Sequence, residues 1–210
     1  AICYHTLAVR FAKDYEPETA SSDLGLPIVL NVDPNAKPSR ATLEQTYQQI
    51  KSDIAEARRL INVEGEANAI YLTKDVVDAL EARVDLYMHN YAEAISLSET
   101  LINKYPLATT TDALSGLFLN DEGTELIYKV FSSIDERTNE LPYYLYWNTT
   151  TESYGPDFIP SQWVIDLYED TDIRKSAYFI QDHVDCGDKS ADDIYMLNKY
   201  PGNPALKTTT

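Results

Sequence analysis

The strongest constraint on this chain is a single apolar stripe. Leu43, Tyr47, Ile50, Ile54, Ala57 and Ile61 follow one another at alternating steps of four and three residues, the spacing that places side chains on one face of a helix about five turns long. Thr42 stands ahead of the stripe with Gln45 three positions on, which predicts a capping box. A one-faced helix needs a cover. After Thr73, Val76, Leu80, Val84 and Tyr87 line one flank of a second helix, with Ala79, Ala82 and Leu86 beside them. His89-Asn90 turns the chain, and a third helix from Tyr91 carries Ala94, Ile95, Leu97, Leu101 and Ile102 inward until Pro106 stops it. So short a turn obliges these two helices to lie antiparallel as an αα-hairpin. Small Ala79, Ala82 and Ala94 at the close approach, with Tyr91 opening the second helix and Pro106 closing the unit, give it the look of a tetratricopeptide repeat. The helix from Thr42 to Asn62 packs beside it as half of a degenerate unit. A lone hairpin cannot bury both faces, so neighbours are required.

Outside this helical core, placed at about 41–106, the pattern is looser. Ala1–Lys13 reads as helix without a capping residue or an acidic first turn, which leads us to expect earlier elements and a chain cut from a longer protein. Prolines and Gly25 break up Asp14–Pro38 into a connecting loop around the extended run Leu26–Leu30. Glu125–Phe131 alternates as a strand does, Leu141–Pro160 is irregular and rich in rings, and Gln162–Tyr168 is a short helix. Beyond Thr171, acidic loops separate two apolar runs, Ala177–Ile180 and Ile194–Leu197. The expected fold class is therefore mainly α, with repeat-like hairpins, long irregular loops and minor short β segments, in a single domain over 1–210.

Composition narrows the function. With 44% hydrophobic residues in 210, the chain can bury a real core. Its 17 basic against 34 acidic side chains give a formal charge of −17, which repels phosphate backbones and anionic membranes, so nucleic acid is a poor partner. No window holds the roughly eighteen uninterrupted apolar residues of a spanning helix, and no signal peptide opens the chain. Two cysteines, Cys3 and Cys186, cannot make a disulfide framework. The 16 tyrosines beside 2 Trp and 5 Phe are the outlier: such rings, apolar in body and polar at the tip, suit wet binding surfaces.

Several of these segments together resemble the SusD/RagB family of surface nutrient-binding lipoproteins. The resemblance rests on Gly25-Leu26-Pro27 ahead of Arg40-x-Thr42, then Tyr47-x-x-Ile50-x-x-Asp53-Ile54-x-x-Ala57, then Ala82–Tyr87 followed by Asn90-Tyr91-x-x-Ala94. Pro160-Ser161, Leu167-Tyr168, Asp172-Ile173-Arg174 and Asn198-Lys199-Tyr200 continue it in order. The family's proteins are much longer, and their lipidated N-terminal cysteine, earlier helices and final helical region have no counterpart here. The resemblance implies an outer-membrane, cell-surface lipoprotein, held to the membrane through an N-terminal lipid outside this chain. Such a protein captures oligosaccharide, or in some members peptide, for a SusC-like TonB-dependent transporter.

Catalytic and metal chemistry find little support in the residues. His5, His89 and His183 come without HExxH, CxxC or any ligand cluster, and no G-x-S-x-G elbow frames a serine. Asp78, Glu81 and Asp85 read as a solvated stripe opposite the apolar face of their helix. Asp182–Asp193 gathers five aspartates around Gly187, and a solvated loop outweighs a cation site there because the spacing is not that of an EF-hand. We therefore expect no enzyme activity, no cofactor and no metal. The ring-rich stretch is the candidate ligand site: Tyr143, Tyr146, Trp147, Asn148 and Tyr154 can stack on the C–H faces of sugars and bond their hydroxyls. Trp163, next to Val164-Ile165, reads instead as core. The leading reading is non-catalytic glycan capture; the alternative is a repeat scaffold whose groove binds a peptide or protein.

Overall fold

A computed structural model describes residues 1–130, 147–148, 150–187 and 189–199. The chain groups into two compact units, 1–106 with 127–129, and 107–126 with 130–210, and each is described by itself.

The first unit is helical: α1 (Ile2–Phe11), α2 (Leu43–Leu60), α3 (Lys74–Tyr87) and α4 (Tyr91–Lys104). α2 packs on α1 and α3, and α3 on α4. The capping box forms as the sequence predicts: the Gln45 amide donates to Thr42 Oγ1 at 3.1 Å, and the Thr42 amide donates to Gln45 Oε1 at 3.0 Å. The stripe is the core, with Leu43, Tyr47, Ile50 and Ile54 of α2 buried against Ala8 of α1 and Val77 and Val84 of α3. Thr73 caps α3, and His89 at φ +64° makes the turn into α4. The hairpin closes at its far end, where the Tyr105 hydroxyl donates to Asp75 Oδ2 at 2.7 Å.

Two expectations about α4 need correction. Ala94 and Leu101 are buried, but Ile95 and Ile102 face solvent. Packed on α3, α4 buries a narrow i, i+7 stripe, and a residue one step further round the helix is turned by about 100° away from α3.

The loop before α2 shows why Gly25, Arg40 and Thr42 occur together. The Gly25 amide donates to the Ala41 carbonyl at 2.8 Å, and the Ala41 amide returns a bond to Leu26 at 2.9 Å. Arg40 ties the loop down, its Nε donating to the Gly25 carbonyl at 2.6 Å and its Nη2 to Leu24 at 2.9 Å. A Cβ on Gly25 would lie 2.4 Å from the Thr42 carbonyl oxygen and 2.2 Å from Thr46 Oγ1. Gly25→Ala is therefore expected to lose about 1–3 kcal/mol through overpacking against backbone, read as a lower urea midpoint with an unchanged m-value.

In the second unit, α5 (Thr111–Asn120) packs on α7 (Ile173–Tyr178) around Leu114, Leu117 and Ala177. α5 has no counterpart among the expected elements, although Thr110 caps it by accepting from the Ala113 amide at 3.2 Å. Between them stand β1 (Trp147–Asn148), β2 (Ser153–Tyr154) and α6 (Gln162–Asp166), and β3 (Phe179–Asp185) and β4 (Ser190–Leu197) follow α7. The sheet order is β1-β2-β3-β4, antiparallel except for the β2–β3 pair. The expected strand at Glu125–Phe131 does not form over 125–130, and residue 131 lies outside the described residues. Glu125 instead turns its carboxylate to the Ala108 amide at 2.7 Å. The acidic loop at 182–193 is also corrected: most of it is hairpin, paired from Phe179↔Leu197 to Asp185↔Ser190 and turned at Gly187 with φ +86°. Ile180, Val184, Ile194 and Met196 share one face and hold it to Tyr154. Among the described residues no helix is long and apolar enough to cross a membrane.

Candidate functional site

The acidic stripe of α3 is not solvated. Asp85 is 1% exposed and accepts from Lys51 Nζ at 2.9 and 3.0 Å, while the same nitrogen donates to Glu81 at 2.7 Å. Arg58 bridges Asp78 and Glu81. Burial alone would raise the Glu81 pKa, but hydrogen bonds from Lys51 and Arg58 outweigh it and hold the carboxyl below its usual range. Burial pulls Lys51 down, and Glu81 and Asp85 more than restore it. Every carboxylate in this cluster has a cation from α2, so the cluster fastens α3 to α2 and offers no unpaired acid or base.

His5 is buried within α1, His89 forms the turn before α4, and the His183 Nδ1 lies 2.7 Å from Asp192 on the exposed face of the β3–β4 hairpin. Among the described residues, no group of three His, Cys, Asp or Glu side chains converges as metal ligands would.

The ring-rich segment does form a local structure. Trp147 pairs with Tyr154 and Asn148 with Ser153 across the β1–β2 hairpin. In an antiparallel pair, directly opposed side chains meet, and the indole and phenol rings stand 4.7 Å apart at 71°, edge to face. Both rings are half-buried. Asn148 makes the turn: its Oδ1 accepts from the Thr150 amide at 2.9 Å and the Thr151 amide at 3.3 Å. Any ligand bond from Asn148 must therefore come from its amide nitrogen. Glu152 at φ +51° completes the reversal, and Ser153 is buried with its Oγ 2.7 Å from Thr151 Oγ1. Tyr154 rests on Val184 through the parallel β2–β3 pair; burial first, then Asp182, push its phenol pKa up, so the hydroxyl stays a donor through the neutral range. Tyr143 and Tyr146 lie outside the described residues.

Trp163, expected in the core, is 67% exposed. The reason is helical geometry. Ile165 is buried, and residues two apart on a helix point about 200° away from each other. Phe158 is exposed in the same segment. The signal that could have separated Trp163 from core is its place in the first turn after Ser161, where a five-residue helix has only one face to bury.

Comparison with known proteins places these observations. Residues 1–86 match the model of a SusD-like family described as starch-binding and associating with the outer membrane. No curated protein matches the chain. Among solved structures, a SusD superfamily protein from Bacteroides thetaiotaomicron is similar at 21% identity and TM-score 0.71, over 98% of this chain and 48% of that one. A SusD superfamily protein from Bacteroides vulgatus is similar at 22% identity and TM-score 0.66, over 100% and 45%. A SusD-like carbohydrate binding protein from Bacteroides vulgatus is similar at 20% identity and TM-score 0.65, over 94% and 42%. The chain thus spans a little under half the length of these solved relatives.

Proposed function

We propose that this chain is part of a protein that captures oligosaccharide at the outer-membrane surface without catalysis, because residues 1–86 match the model of a SusD-like family and the fold is similar to that of SusD superfamily proteins. The observation that carries this reading is the family match, whose description is starch-binding in association with the outer membrane. The captured glycan passes to a SusC-like TonB-dependent transporter, and the solved relative described as a carbohydrate binding protein supports the ligand class.

Trp147, Asn148 and Tyr154 are the proposed contacts, with Tyr143 and Tyr146 from the same stretch. An edge-to-face pair leaves one ring to stack and the other to brace it, so Trp147 is the stacking face and Tyr154 the brace. Binding of soluble malto-oligosaccharides, measured by calorimetry, tests this. Trp147→Ala is expected to remove about 0.5–1.5 kcal/mol of stacking, a several-fold weaker Kd, with little change in Tm. A stability loss of roughly 3–5 kcal/mol would mark the indole as core instead. Unchanged binding would remove it from the site.

One observation favours a second reading, a scaffold for a peptide or protein. Tyr91, Ile95 and Ile102 leave an apolar face of α4 in solvent, where a partner helix can lie.

A further inference from the structure

We propose that the seating of α1 on the helical unit is controlled by protonation of His5. The imidazole is 5% exposed, and its Nε2 is buried with no hydrogen-bond partner among the described residues. Among the described residues, the two rings packed on it bring no anion to pair with a charge. Tyr47 of α2 meets it edge-on with ring centroids 6.3 Å apart, and Tyr87 of α3 does so at 5.0 Å. The charged group acting on it is Arg83 of α3, a cation. Tyr47 itself has its pKa pushed up to about 12, by burial first and then by Tyr87, Asp14 and Tyr15, so no phenolate forms nearby to pair with an imidazolium.

Burial, followed by Arg83, lowers the His5 pKa. The seated state therefore binds fewer protons than the released one, and the sign follows: nothing is lost above the ordinary histidine pKa of 6.5, and seating weakens as pH falls from there through the lowered value. Because the imidazole is wedged between two elements distant in sequence, its protonation acts on the α1 contact while the core of α2 and α3 keeps its own apolar packing.

The test uses the whole chain. Hydrogen exchange of α1 amides is measured at pH 7.5 and 5.5 with correction for intrinsic rates, alongside NMR titration of the three histidines. Protection of α1 is expected to drop several-fold more than that of α2 on acidification. His5→Phe keeps a ring in place and should abolish the difference; Arg83→Gln should move the His5 midpoint upward. If His5 titrates at or above its ordinary value, or if α1 loosens equally in His5→Phe, the proposal is overturned. His89 and His183, both exposed, serve as internal references.

Discussion

Replacing Ile50 by aspartate is expected to abolish cooperative thermal unfolding of the helical unit at neutral pH. Ile50 is 0% exposed, at the middle of the α2 stripe and within the cluster formed with Leu43, Tyr47, Val77 and Val84. Two losses add there. Removing the aliphatic side chain from a packed site costs about 2–5 kcal/mol. Burying a carboxylate with no partner adds several more or forces the region open. The sum is comparable with the whole stability of a domain, roughly 5–15 kcal/mol. Ile50→Val, which keeps shape and deletes one methylene, should cost only about 0.5–1.5 kcal/mol. Far-UV circular dichroism melts of the two variants separate the terms, and a recovery of the aspartate variant near pH 4 would show that the charge dominates. A melt like that of the parent would mean that α2 is not the centre of the core. Ile54 is a gentler position by the same reasoning, because it also lines an apolar cleft with Ile2, Leu72 and Val76, where a carboxylate can reach water.

That stripe was legible because each of its signals is local. A period of alternating four and three and a Thr-x-x-Gln cap are both read within one helix or its end, and the structure returns them at Thr42, Gln45, Ile50 and Ile54. Asp78, Glu81 and Asp85 show where local reading fails. Their spacing is that of any polar helix face, and what makes them ion-pair partners, Asp85 buried and Asp78 and Glu81 partly so, is Lys51 and Arg58 on another helix. The β3–β4 hairpin was hidden for a related reason: aspartates crowd the segment, while the apolar alternation that pins it is split between two strands, Ile180 and Val184 on one, Ile194 and Met196 on the other. At the candidate site, the rings of Trp147 and Tyr154 were legible as a pair of residue types but not as opposed partners, which follows from register. The role of Asn148 in the turn was legible in principle, since an Asn followed by Thr149-Thr150 is a turn signal, and it competes with the role of sugar ligand.

Lys51→Met should destabilise the first unit by about 2–4 kcal/mol at pH 7.5, at the lower side of what breaking a fully buried pair costs, because the lysine is about a third exposed. The ammonium is the bond between Asp85, which is almost wholly buried, and Glu81; removing it leaves Asp85 the side-chain amide of Asn90 at 3.1 Å and leaves Glu81 with Arg58. The effect is expected to shrink with acid, and the direction can be derived. Glu81 has its pKa held below the ordinary value of 4.5 despite burial, because Lys51 and Arg58 bond its charged form. In the parent this contributes stability above about pH 4.5, lost as pH falls through the lowered folded value. Without Lys51 the effect of burial on Glu81 is opposed by Arg58 alone, so that carboxyl takes up a proton at higher pH and no longer needs the missing cation. Urea unfolding at pH 7.5 and 4.5 should therefore give a smaller difference between variant and parent at the lower pH. A double variant, Lys51→Met with Asp85→Leu, removes the stranded charge as well as its partner and should recover much of the loss at pH 7.5, less the bond to Asn90 that helps seat the turn into α4. If the single variant loses the same amount at both pH values and the double variant recovers nothing, the contribution of Lys51 is packing of its aliphatic stem, and the cluster does not hold α2 to α3 by charge.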